Sequence, residues 1–136
     1  MTSSRNLIKQ PEIENLIFTI RGLQVMFDSH LVELYGIETK RLNEQVQRNK
    51  ERFPESFRFQ LSPEEEGILK SQIATSSSDH GGRRYPPYVF TEQGVAMLSA
   101  VLRSESAVKV SIQIMEAFVQ MRKFSVSGAW TMMRNP

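Results

Sequence analysis

Between Thr39 and Asn49 the chain reads TKRLNEQVQRN, a stretch crowded with Lys40, Arg41, Asn43, Gln45, Gln47, Arg48 and Asn49. A guanidinium can bind O6 and N7 of a guanine with two hydrogen bonds, and a primary amide can do the same at N6 and N7 of an adenine. A solvated helix face more often carries Glu–Lys pairs. The chemistry this set fits is contact with base edges, with Lys and Arg also suited to phosphates. A second cluster, Arg83, Arg84 and Tyr85, follows Gly81-Gly82 in the Ser- and Pro-rich stretch TSSSDHGGRRYPP. A flexible basic arm ending in an aromatic ring suits phosphate contact or insertion beside a groove. A surface loop with incidental charge has the same composition, and pattern does not separate the two.

Other chemistries have less to stand on. There is no cysteine, which removes thiol catalysis, disulfides and cysteine–metal sites. His30 and His80 have no suitably spaced metal-ligating partners. Gly81-Gly82 lacks the strand and lysine of a phosphate-binding loop. Glu64, Glu65 and Glu66 are acids in a first helical turn, where the helix dipole alone favours them. The expectation is a protein that is not an enzyme and uses no cofactor or metal.

The elements that must position these side chains follow in order. Residues 1–12 read as a polar leader. Leu16–Ile20 and Leu23–Phe27, rich in β-branched and aromatic residues and parted by Arg21-Gly22, read as a hairpin. Arg-Gly is not the preferred pair for such a tight turn, and a lone hairpin needs further packing to be stable. Asp28 is placed to cap a short helix with Leu31, Leu34 and Ile37 inward, and Gly36 to close it in the left-handed conformation. Thr39 is placed to cap a second helix with Leu42 and Val46 on its buried edge. Two helices joined by a short Gly-containing turn match the helix-turn-helix pattern, whose second helix lies in a DNA major groove. An ordinary helical hairpin with a wet outer face has the same periodicity.

Phe53-Pro54 ends that helix. Phe57–Leu61 alternates like a strand with one buried face. Ser62-Pro63-Glu64-Glu65 is a capping box with Pro at the first helical position. Tyr88–Phe90 is a short strand suited to pair with Phe57–Leu61. Thr91 caps an apolar helix through Leu102, and Ser104 restarts a long one from about Glu105 to Phe124. On that last helix Val108, Ile112, Met115 and Val119 form one stripe, and Ile114, Phe118 and Met121 a second. One stripe suffices for a core; the second, Ile114, Phe118 and Met121, is a candidate dimer interface. A wholly central helix would carry both. Residues 125–136 read as a tail or the start of a linker to a C-terminal domain.

The 136 residues are 40% hydrophobic and 24% charged, with a net charge of +2. That suits one globular domain, here residues 13–124, of the α+β class: a β-hairpin and short strands packed on a helix-turn-helix-like pair and C-terminal helices. The charge is mixed in sign: Glu38–Arg58 holds six basic and four acidic residues, an excess of only two. Electrostatics alone therefore argues weakly for an anionic partner. No stretch approaches the roughly 20 apolar residues of a membrane span, and the N-terminus does not resemble a secretory signal.

Three blocks carry a family resemblance: IRGLQVMFDSHLVELYGIETKRLNEQVQRNKERFPESFRFQL, GGRRYPPYVFTEQGVAML and SAVLRSESAVKVSIQIMEAFVQMRKF. Together they resemble the N-terminal DNA-binding domains of phage and prophage antirepressor-type regulators. These are the KilA-N and Bro-N group, and in particular the domain named for the N-terminal part of "open reading frame six" proteins. The resemblance implies an α+β domain that binds double-stranded DNA in a cytoplasmic, nucleoid-associated setting. Local chemistry selects Lys40, Arg41, Asn43, Gln47, Arg48, Arg83, Arg84 and Tyr85 as the contacts. A homodimer is expected, and a repressor protein is an alternative partner if the domain acts without touching DNA.

Overall fold

A computed structural model describes the backbone of residues 10–72 and 86–134, and the side chains of residues 12–71 and 86–123. Four antiparallel strands form one sheet in the order β1-β2-β4-β3: β1 Ile17–Ile20, β2 Leu23–Phe27, β3 Arg58–Gln60 and β4 Tyr88–Phe90. Among the described residues six α-helices pack on its two faces: α1 Gln10–Glu14, α2 Asp28–Tyr35, α3 Thr39–Arg48, α4 Pro63–Gln72, α5 Glu92–Leu102 and α6 Glu105–Arg134. The α+β expectation holds.

Side chains alternate across a strand, so a sheet with apolar residues at successive positions is covered on both faces. Val25, Met26 and Phe27 are all buried. Val25 and Phe27 join Ile20, Phe59, Leu61, Val89 and Leu69 of α4 in one apolar layer. Met26 and Phe90 join the larger layer beneath α1, α2, α3, α5 and α6 on the other face.

The β1–β2 hairpin turns on Arg21 and Gly22, with φ of 56° and 72°. Positive φ at both central residues is what a type I′ turn requires, and an unfavourable arginine sits at the first. Its side chain accounts for it. The guanidinium lies 4.2 Å from the Phe59 ring centroid and donates to both Glu65 carboxylate oxygens, at 2.7 and 2.9 Å. The turn is thereby tied to α4. That helix starts with the expected capping box, the Glu65 amide donating to Ser62 Oγ at 3.1 Å and the Ser62 amide to Glu65 Oε1 at 2.8 Å.

Two expected caps are replaced. Asp28 and Thr39 are the first helical residues of α2 and α3; Phe27 and Glu38 stand at the cap positions, and neither makes a side-chain capping bond. β2 runs straight into α2, which leaves Asp28 no extended residue in which to act as a cap. Gly36 closes α2 as expected, with φ 70° and its amide on the Val32 carbonyl at 2.9 Å. Thr91 Oγ1 caps α5 by accepting from the Gly94 amide at 3.3 Å, and it donates to the Ser56 carbonyl at 2.9 Å. Ser104 Oγ caps α6 through the Ala107 amide at 3.0 Å.

Helices α5 and α6 form an antiparallel hairpin, pinned at its far end by an ion pair between Arg122 and Glu92. The long helix corrects the expected interface. Ile114 and Phe118 are completely buried in the core with Ala107, Ala117 and Leu98, and Met121 is half-buried against it. Val108 and Ile112, from the other stripe, are the exposed ones, at 43% and 52%. Both stripes are apolar, and the packing of α1, α2 and α5 on α6 decides which is inside. The helix also runs past Phe124 to Arg134, into the segment expected to be a tail.

Candidate nucleic-acid interface

Helix α3 is held by Leu42 and Val46, both buried, one turn apart. They pack beneath α2 and α5, and α2 is itself fixed to α6 by a buried hydrogen bond between Tyr35 Oη and Ser111 Oγ at 2.6 Å. Burial pushes the Tyr35 hydroxyl up to about 12, the Ser111 hydrogen bond opposing that rise. The helix pair therefore sits on a rigid base, with its remaining surface open.

All five candidates on α3, Lys40, Arg41, Asn43, Gln47 and Arg48, are exposed. They do not form one face. At 3.6 residues per turn, Lys40, Asn43 and Gln47 fall within an arc of about 60°, and Arg41 and Arg48 lie within about 20° of each other, roughly 120° further round. Glu44, also exposed, stands between the two groups. The helix thus presents an amide flank and an arginine flank with an acid on the ridge between them.

Four basic residues elsewhere are engaged within the chain. Arg21 is bound to Glu65, Lys70 to Glu66 and Arg122 to Glu92. Arg58 stacks over the Tyr88 ring, 3.7 Å from its centroid, where burial lowers its pKa. Among the described residues, Lys40, Arg41 and Arg48 form no ion pair within the chain.

The arginine flank continues into a cleft of about 320 Å³ between α3 and the end of α5. It is lined by Arg41, Gln45, Asn49 and Arg52 on one side and by the stretch Ala100–Arg103 on the other. Asn49 is oriented by its side-chain amide donating to the Gln45 carbonyl at 2.8 Å. Arg52 lies in a short 3₁₀ turn, Lys50–Arg52, that follows α3. Sequence reasoning counted Arg52 only as charge, and it had no reason to bring Arg103 to α3: the two are far apart in the chain and meet only through the α3–α5 packing.

Arg83, Arg84 and Tyr85 lie outside the described residues. The described chain resumes at Pro86, which is anchored to the sheet edge together with Pro87: the Leu61 amide donates to the Pro87 carbonyl at 3.0 Å and Gln60 Nε2 to the Pro86 carbonyl at 3.0 Å. Among the described residues no group of three or more His, Cys, Asp and Glu residues could hold a metal ion, and no helix is long and apolar enough to cross a membrane.

A family model described as the ORF6N domain matches residues 15–101, from the start of the hairpin through most of α5. No curated protein and no solved structure matches the chain.

Proposed function

The chain belongs to the ORF6N domain family, and from that premise we propose that it is the duplex-DNA-binding module of a phage- or prophage-type transcriptional regulator. The observation that carries the reading is the outer surface of α3: side chains suited to base edges and phosphates, with no ion pairs for its basic residues among the described residues. Asn43 and Gln47, with Lys40, face base edges in the major groove, and Arg41 and Arg48 face the flanking backbone. Arg83, Arg84 and Tyr85 serve as a second phosphate contact. Glu44 on the ridge disfavours docking wherever it meets phosphate and tolerates a cytosine amino group. Such a protein acts on DNA in the cytoplasm, without a cofactor and without catalysing a reaction.

Selection of bound sequences from a random duplex pool, read at two salt concentrations, tests this. Affinity is expected to fall steeply with salt, and an enriched palindrome would indicate a homodimer on two half-sites. Asn43→Ala or Gln47→Ala should relax the preference at a base position, whereas Arg41→Gln with Arg48→Gln should weaken binding to all sequences. No mobility shift on any duplex at low salt, with wild type and the double arginine variant indistinguishable, would refute the reading.

A second reading, a domain that docks a repressor or a second copy of itself, is favoured by the exposed Val108 and Ile112 on α6. Light scattering at two concentrations decides it for self-association: Ile112→Asp should abolish a dimer held by that face and leave a folded monomer.

A further inference from the structure

We infer that the cleft between α3 and the C-terminal end of α5 is a seat for one backbone phosphate of the bound duplex, with Arg52 and Arg103 as phosphate ligands beside Arg41. The inference rests on the proposed DNA-binding reading and adds two contacts to it from outside the helix pair.

Three arginines from three different segments line this one cleft: Arg41 from α3, Arg52 from the 3₁₀ turn and Arg103 from the end of α5. Among the described residues none of the three forms an ion pair and no acidic residue lines the cleft. Like charges around one cleft repel one another, and a group with several acceptor oxygens and a negative charge relieves that repulsion. Gln45 and Asn49 line the same cleft, and with the Asn49 amide already turned to the Gln45 carbonyl the wall offers neutral donors and fixed geometry as well as charge.

Arg103 carries a further mark. It ends α5 in the left-handed conformation, φ 59°, with its amide donating to the Ser99 carbonyl at 3.3 Å. Glycine is the favoured residue there. An arginine at this position projects a cation from a fixed point of the backbone, as a phosphate clamp requires. The cleft adjoins the arginine flank of α3 and not its amide flank. A phosphate seated there would fix how far α3 rolls in the groove, and so which bases Asn43 and Gln47 reach.

The test compares the full chain with Arg52→Gln, Arg103→Gln and, as a charge-matched control, Lys109→Gln at an exposed position of α6. Binding to a mixed-sequence duplex is titrated over a range of salt, and melting temperatures confirm folding. Each cleft variant should bind roughly tenfold more weakly and show a logarithmic salt slope shallower by about 0.9, with the selected base sequence unchanged. Lys109→Gln should keep the wild-type slope. If Arg52→Gln and Arg103→Gln match the wild type or the lysine control, the phosphate seat is wrong while DNA binding stands. If the wild type binds no duplex, the functional reading fails, and inorganic phosphate titrated against the arginine Nε–Hε resonances tests the cleft itself. Saturable shifts confined to Arg41, Arg52 and Arg103 would support an anion seat; weak shifts spread over all arginines would overturn it.

Discussion

A single methyl group at Gly94 should damage this domain more than helix propensity would repair. Gly94 is buried in the first turn of α5, and a Cβ built there would stand 2.1 Å from the Phe57 carbonyl oxygen. That oxygen is backbone and cannot swing aside. It accepts the Thr91 amide at 3.0 Å and lies 3.3 Å from the Thr91 hydroxyl, so the close approach is built into the way β3 receives the start of α5. Relieving the clash requires a separation of about 1 Å or more, which loosens these bonds at about 1 kcal/mol each and strains a packed core by roughly 1–3 kcal/mol. Alanine regains about 1 kcal/mol of helix propensity. The net expectation for Gly94→Ala is a loss of about 2–4 kcal/mol, a large part of the stability of a domain this size. Gly67 in α4 has open space where its Cβ would lie, so Gly67→Ala should stabilise by up to about 1 kcal/mol. Urea unfolding of both variants against wild type is the assay. The reasoning is refuted if Gly94→Ala is as stable as wild type, or if the two alanines shift the midpoint in the same direction.

Two other perturbations test the supports of the site. Tyr35→Phe leaves the buried Ser111 hydroxyl without its partner and should cost about 1 kcal/mol. Because the folded-state pKa of Tyr35 is raised from 10 to about 12, its contribution is fully present below pH 10 and lost as pH rises towards 12, so the variant's unfolding curve should be flatter in that window. Glu65→Gln acts at the other extreme: hydrogen bonds from Arg21 and then from the Ser62 amide hold Glu65 down to about 2. The stability it contributes is present above pH 4.5 and lost as pH falls towards 2, and thermal melts across that range should show a shallower acid limb in the variant.

The sequence by itself determined the local structure and the chemical inventory. Strand alternation, the Ser62 capping box, the Gly36 stop and the caps at Thr91 and Ser104 are written in residues a few positions apart, and each formed because its partners are neighbours in the chain. The exposed α3 set was legible for the same reason: Leu42 and Val46 alone define which side is down. Tertiary structure decided what depends on distant segments meeting. It placed Ile114 and Phe118 inside and Val108 and Ile112 outside, because α1, α2 and α5 together cover one side of a helix that is apolar on two. It justified an arginine in the hairpin turn, because Glu65 and Phe59 arrive from β3 and α4 to receive it. It also brought Arg103 to Arg41 and Arg52, since a cluster of charge drawn from three segments has no period in the sequence and exists only once the helices have packed.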